Sequence, residues 1–252
     1  DGLYSPIEYN VGHLRYFLKL LFRKLDLRPG QLPILSRAVR NRSVIGLLPT
    51  GGGKSLTYQL AAMLQPGVTL VIDPLISLMS DQYEVLRRAR IDCCAEINSS
   101  TLDSLQSENR MAASKLLFVF VSPERLCIMR FRRRMAEMND LGVYFAYGVI
   151  DEVHCVSEWG HDFRFSYLHL GRNLFRYVKP RGSEDGRRIT LFGLTATASF
   201  DVLADVERDL SGEGAFPLDA DAVIRYENTN RLELQYRVVE VLPPPHGNRW
   251  DV

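Results

Sequence analysis

The stretch Leu47 to Ser55, LLPTGGGKS, sets three glycines, a lysine and a serine hydroxyl between an apolar run and a helical pattern. Residues of these types at this spacing can hold a triphosphate. The N–H groups of a glycine-rich turn point inward at phosphate oxygens, and the positive end of the following helix adds to the attraction. Lys54 is expected to reach the β- and γ-phosphates, and the Ser55 hydroxyl to face Mg2+. Where the generic pattern opens with glycine, this chain has Leu48. A glycine turn that merely joins a strand to a helix is the plain alternative. A phosphate loop alone also does not separate a kinase from a hydrolase or a switch.

A second candidate is the acidic pair Asp151-Glu152, which follows the apolar YGVI and so falls at the end of a strand. Asp151 could hold Mg2+ directly or through water. Glu152 could orient or deprotonate the water that attacks the γ-phosphate.

Such residues must be carried by a scaffold, and the hydropathy pattern supplies one. Short runs rich in Val, Ile, Leu, Phe and Tyr occur at Val44–Leu48, Val68–Asp73, Leu116–Val121, Val143–Asp151 and Ile189–Leu194. Near-continuous apolarity requires burial on both faces, the condition of a parallel sheet covered by helices. Helical patterns lie between or after them at Ser55–Leu64, Leu75–Arg90, Glu124–Met138, Tyr167–Val178 and Phe200–Leu210, long enough for crossovers. The expected fold is α/β: a doubly wound, mostly parallel sheet flanked by helices. Ligands in such sheets bind beyond the carboxyl ends of the strands. The glycine loop, Asp73-Pro74, Ser122-Pro123, Asp151-Glu152 and Thr195-Ala196-Thr197 all fall at such ends. Val223–Tyr226 and Leu232–Val241 are further candidate strands, Arg181–Arg188 reads as a polar loop, and Pro243 to Pro245 as an extended linker.

At 252 residues, 46% hydrophobic and 24% charged, the composition is that of an ordinary soluble globular protein. A net charge of +1 means that any footprint for nucleic acid must be local. The densest basic run, Arg130 to Met135 (RFRRRM), reads as a solvated helix face with snorkelling stems rather than a DNA patch. The four cysteines, Cys93, Cys94, Cys127 and Cys155, lack paired zinc-ligand spacing and read as buried, reduced thiols. No apolar run is long enough to span a bilayer, so no membrane partner is expected, and the location is expected to be cytoplasmic or nucleoid-associated, or nuclear in a eukaryote.

Asp151 to His154, Asp-Glu-Val-His, resembles the nucleotide motif of superfamily 2 helicases, and the longer string DEVHCVSEWGHDFRFSY, Asp151 to Tyr167, is similar to the RecQ DNA helicases. VIDPLISLMSDQ (Val71–Gln82) resembles that family's motif Ia, VSPERL (Val121–Leu126) its PERL element, GLTATA (Gly193–Ala198) its motif III, and RPGQLPIL (Arg28–Leu35) its motif 0. The resemblance covers about residues 20 to 240 and implies the first of two RecA-like domains of a helicase core. It also accounts for Leu48, since hydrophobic-Pro-Thr-Gly is usual in helicases. The chain departs from the family at Lys24 and Leu27, where aromatics are usual (Phe22 or Tyr16 could stand in for adenine stacking). It departs again at Phe165 for proline and at the acidic Asp73 and Glu158.

The resemblance implies ATP and Mg2+ as cofactors. It implies that Arg28, Gln31, Thr50, Gly51, Gly52, Gly53, Lys54 and Ser55 bind ATP, with Gln31 reading the adenine edge. Ser55 and Asp151 would hold Mg2+, and Glu152, Lys54 and Asp151 would serve catalysis, Glu152 as general base. His154, Thr195 and Thr197 would couple the γ-phosphate to DNA contacts. Trp159, His161, Phe163, Arg164, Ser77 and Arg125 would touch nucleic acid; aromatic faces such as Trp159 and Phe163 accept any base. The implied activity is 3′-to-5′ DNA translocation and unwinding on single-stranded or partly duplex DNA. Residues 1–241 would form the ATP-binding domain, with 1–26 a helical lead-in. Residues 242–252 would lead toward a second RecA-like domain missing from this chain. An RNA-directed helicase and a nucleotide switch without unwinding are the competing expectations.

Overall fold

The computed structural model describes residues 8–98, 104–158, 166–167 and 170–226. Trp159, His161, Phe163, Arg164, the candidate strand Leu232–Val241 and the linker lie outside the described residues.

Seven strands form one sheet: β1 (Val44–Leu47), β2 (Val68–Ile72), β3 (Cys94–Ile97), β4 (Phe118–Val121), β5 (Phe145–Ile150), β6 (Thr190–Thr195) and β7 (Val223–Arg225). Their order is β3-β4-β2-β5-β6-β1-β7, and every pairing is parallel. The helices are α1 (Glu8–Phe22), α2 (Gln31–Ala38), α3 (Lys54–Met63), α4 (Ile76–Arg88), α5 (Ser104–Ala112), α6 (Met129–Asp140), α7 (Cys155–Glu158), α8 (Leu170–Tyr177) and α9 (Phe200–Leu210).

Strand side chains alternate between two cores, as the period of two requires. Leu70 and Ile72 join Val119, Val121, Phe131, Met135, Leu174 and Val206 in one core. Their neighbours Val71, Phe118 and Phe120 face Ile34, Leu35, Tyr58, Leu60, Met79 and Leu86 in the other. With helices on both faces, the inner strands are nearly continuous apolar runs, interrupted by buried threonines such as Thr69 and Thr190, which is why five strands are legible as runs. Val223–Tyr226 also forms a strand, β7, beside β1.

Three expectations need correction. Glu124–Met138 is not one helix: a 3-10 turn over Pro123–Cys127 gives way to extended backbone at Ile128 (φ −80°, ψ 118°) before α6 begins. Strand β3 and helix α5, between Arg90 and Leu116, were not anticipated; β3 is a four-residue edge strand containing Glu96, and α5 is mostly polar. Of the cysteines only Cys94 and Cys155 are buried; Cys93 is half-buried and Cys127 is exposed on the 3-10 turn, all four free thiols. The arginine-rich stretch behaves as expected of a helix face: Phe131 and Met135 are fully buried, while Arg132 lies over Tyr177 and Arg134 pairs with Glu137.

Candidate functional site

The phosphate loop is set by the end of β1. Leu48 is buried and its N–H donates to the Thr195 carbonyl at 3.1 Å, tying the loop to the neighbouring strand β6. The Gly52 N–H closes a turn onto the Pro49 carbonyl at 2.8 Å. Gly53 has φ of 79°, and a Cβ there would stand 2.4 Å from Gln31 Nε2, so both backbone and space demand glycine. Gly53 caps α3 with no side-chain acceptor, which leaves first-turn N–H groups at Lys54 and Ser55 available to an anion.

Motif residues at and just before the start of α2 brace this loop. Gln31, fully buried, donates its amide to the carbonyls of Gly52 and Gly53, both at 3.0 Å, and accepts the Arg28 N–H at 2.7 Å. The Arg28 guanidinium donates to the Gly51 carbonyl. Gln31, expected at the adenine edge, and Arg28, expected to bind ATP, thus both hold the loop from behind. Beside α3 lies a cavity of about 530 Å3 lined in part by Phe22, Lys24, Ser55, Gln59 and Gln82. Phe22 is therefore the nearby aromatic that shares a cavity with Ser55, while Tyr16 is 63% exposed and packs on Phe17.

Two strands away, β5 ends at the acidic pair. Glu152 has φ of 46°, a left-handed conformation that a non-glycine residue rarely adopts and that concentrates at functional sites. Its N–H donates to Asp151 Oδ1 at 3.0 Å. Its carboxylate lies 3.2 Å from Lys54 Nζ and 3.3 Å from His154 Nδ1. His154 Nδ1 is also 2.8 Å from Thr195 Oγ1, whose hydroxyl donates to the Thr197 carbonyl at 2.9 Å. Because that hydroxyl proton is committed to Thr197, Thr195 Oγ1 accepts here and Nδ1 carries the hydrogen. Lys54, Glu152, His154, Thr195 and Thr197 thus form one continuous polar chain.

Charge follows geometry. Burial would raise the Glu152 carboxyl, but the hydrogen bond from His154 and the Lys54 charge outweigh it and hold its pKa below the usual value. His154 is pushed up to about 10 by contact with the Cys155 thiol and then by Glu152.

A second network lies on the other side of Asp151. Asp73, fully buried at the end of β2, accepts the Leu75 N–H at 3.0 Å. The Gln82 amide nitrogen donates both to Asp73 Oδ2 at 3.1 Å and to Asp151 Oδ2 at 3.0 Å. Gln82 Oε1 accepts the Tyr58 hydroxyl. Burial lifts Asp73 to about 7 and also raises Asp151, helped by the nearby Glu152 charge. Carboxyls held in this way favour a cation. Among the described residues no group of three or more His, Cys, Asp or Glu forms a metal cage. The oxygen-only pair of Ser55 and Asp151 fits Mg2+, which is bound through one or two protein oxygens with phosphates and water completing the shell.

Of the candidates for nucleic-acid contact, Ser77 is exposed in the first turn of α4 among the exposed Leu75, Ile76 and Leu78. Arg125 is only 8% exposed and faces inward to the buried Glu108 at 3.3 Å. That guanidinium serves the α5 contact rather than an open surface. Sequence reasoning missed Gln82 and Tyr58 as site residues, although Gln82 closes the motif-Ia-like stretch and Tyr58 lies one helical turn from Lys54.

Residues 28–206 match the DEAD/DEAH box helicase family. The chain belongs to that family. The chain is 37% identical over 230 residues to a putative ATP-dependent DNA helicase Q1 of Caenorhabditis briggsae, covering 88% of the chain and 34% of that protein. It is 33% identical over 195 residues to the ATP-dependent DNA helicase RecQ of Haemophilus influenzae, covering 77% and 29%. The chain spans about a third of the length of the curated relatives it matches. Among solved structures, it is similar to the helicase MrfA bound to DNA and AMPPNP (TM-score 0.61, 18% identity, 84% of this chain and 29% of that one). It is also similar to Mycobacterium smegmatis Lhr bound to single-stranded DNA and AMP-PNP (TM-score 0.60, 20% identity, 84% and 27%). These likenesses show the RecA-like helicase fold, matching the expected sheet. Among the described residues no helix is long and apolar enough to cross a membrane.

Proposed function

We propose that this chain is the ATP-binding half of a RecQ-like DNA helicase core, coupling ATP hydrolysis to 3′-to-5′ movement along single-stranded or partly duplex DNA. The observation that carries the reading is the unbroken chain from Lys54 through Glu152 and His154 to Thr195 and Thr197. It joins the phosphate loop to the motif-III-like strand end.

In this reading the N–H groups of Gly51, Gly53, Lys54 and Ser55 receive the phosphates, and Phe22 offers an aromatic face to the base. Bound Mg2+, held by Ser55 and Asp151, would neutralise charge on the phosphates. Lys54 pairs with Glu152 at 3.2 Å. A γ-phosphate competes for that ammonium, and its arrival leaves the Glu152 carboxylate free to accept a proton from the attacking water. The carboxylate is already ionised, so it needs no prior deprotonation. His154 stays on Glu152 and reports its state to Thr195. A strand held near Ser77 and the Trp159 segment would complete the coupling. We assign residues 1–241 to this ATP-binding unit and 242–252 to the path toward a second RecA-like domain. Closure of the two around ATP would drive the step.

The test is Glu152→Gln in the longest native protein that carries this chain, with ATPase measured alone, with single-stranded DNA and with RNA. The reading requires lost turnover with retained nucleotide and stronger stimulation by DNA. Stronger stimulation by RNA would reassign the substrate, and unchanged DNA-linked function in the Gln variant would make the protein a switch. The 252-residue chain by itself is expected to bind ATP weakly and not to unwind duplex.

A further inference from the structure

The hydrogen bonds joining Tyr58, Gln82, Asp73 and Asp151 are separate from the polar chain through Glu152. Helix α4 buries Met79 and Leu86, and Gln82, spaced three and four residues from them, falls on the same inward stripe. An apolar side chain would suit that stripe. Instead an amide reaches the ends of two strands.

Its orientation is fixed by its partners. Two carboxyl groups face one end of the amide, and a phenol that donates its hydrogen faces the other. Nitrogen toward Asp73 and Asp151, with oxygen toward Tyr58, satisfies all three. The two amide hydrogens are then both used, one on each carboxyl. Asp151 is in turn held at both oxygens: Oδ1 by the Glu152 N–H and Oδ2 by Gln82. Neither rotation nor tilt of this carboxyl is possible without breaking one of these bonds. Tyr58 anchors the amide from α3, the helix that carries Lys54 and Ser55 at its start.

We propose that Gln82 is a positioning residue that sets the Asp151 carboxyl for the divalent cation, with Tyr58 and Asp73 fixing the amide. The inference rests on the reading of Asp151 as a Mg2+-holding residue. Groups that orient metal-holding side chains from behind typically change metal affinity by about 10- to 100-fold when removed. Gln82 also gives α4 a direct handle on the metal side of the site. The exposed start of that helix, at Ser77, is where nucleic acid is expected.

The experiment measures the affinity of a fluorescent ATP analogue twice, with saturating Mn2+ and in EDTA, on the longest native protein containing the chain. The ratio of the two affinities is the contribution of the metal. Gln82→Met keeps the length and the packing of the stem but removes both donors. It is expected to lower the ratio about tenfold with the EDTA affinity unchanged. Tyr58→Phe, which removes only the anchor, should lower the ratio less. Asp151→Asn is the reference and should collapse the ratio toward one. A Gln82→Met ratio equal to wild type while Asp151→Asn collapses would overturn the positioning role and leave the site reading intact. Equal losses with and without metal would also overturn it, since they mark a merely structural side chain. No metal dependence in wild type, and none lost in Asp151→Asn, would overturn the inference together with the site reading.

Discussion

Adjacent residues at the end of β5 occupy opposite electrostatic surroundings. Glu152 lies between the Lys54 ammonium and the His154 ring, and its carboxyl is held ionised. Asp151 points the other way, into a buried cluster with Asp73 and Gln82, and its carboxyl is held toward the neutral form. Two carboxyls with environments that push them apart are the usual basis for dividing roles within a site. A base that must take a proton from water needs to be ionised beforehand. A carboxyl that awaits a divalent cation can remain poorly solvated, because the incoming charge offsets the burial.

The largest expected effect tests the Glu152 side. Glu152→Gln should lower ATP turnover by about 10^2- to 10^4-fold, the usual contribution of a positioned acid or base. Its effect on folding stability should be modest, about 1–3 kcal/mol, since the amide oxygen keeps one of the two donors, Lys54 Nζ or His154 Nδ1, and the amide nitrogen faces the other. Single-turnover ATPase and thermal unfolding of the same variant check the two halves. A large loss of stability with modest loss of turnover would reverse the division of roles.

Next comes the Asp73 side, where the effect falls on stability and its sign is fixed by the direction of the shift. Asp73 keeps its proton up to about pH 7 in the fold, against an ordinary carboxyl value of 3.8. Between these values the unfolded chain releases a proton that the folded chain retains. Stability therefore falls as pH rises from about 4 to about 7 and does not recover above that. With about 1.4 kcal/mol per pKa unit, the upper bound is about 4 kcal/mol. Asp73→Asn should flatten this part of the denaturation-versus-pH curve. Comparing the slopes, rather than the absolute stabilities, removes the constant cost of placing an Asn amide against Gln82. An unchanged slope would mean that Asp73 is ionised in the fold and that the two sides of the strand end do not differ.

The two sides also differ in how readily they can be read from the sequence. The phosphate loop is local: glycines, lysine and serine are contiguous, and their chemistry follows from type and order. Glu152 and His154 are likewise adjacent to the strand that carries them. The buried network joins Tyr58, Asp73, Gln82 and Asp151 from four separate elements, and nothing in their spacing requires them to meet. The same holds for Arg125, which the resemblance places among the nucleic-acid contacts. Its partner Glu108 sits on α5, a helix too polar to be recognised by its apolar period, and burial of that pair is a tertiary fact. Strands buried on both faces were legible because nearly every position is apolar. The edge strand β3 has no such requirement at Glu96, whose carboxylate instead accepts from Ser80 and Asn98.

The smallest expected effect tests the link between Glu152 and the motif-III-like strand end. Thr195→Val keeps the shape of the side chain but removes the oxygen that accepts from His154 Nδ1 at 2.8 Å and from the Thr197 N–H at 3.2 Å. The loss should be about 1 kcal/mol of stability, a typical net hydrogen bond. His154 itself is raised from 6.5 to about 10, so the stability it contributes is complete below pH 6.5 and disappears as pH rises through 10. Cys155 and Glu152, the groups that raise it, are untouched by Thr195→Val. The pH window of His154, followed by NMR of its ring protons, should therefore stay in place while stability drops. A collapse of that window in Thr195→Val would show that Thr195, and not the Cys155 and Glu152 contacts, keeps the imidazolium charged, and the ionised side of the strand end would then depend on β6.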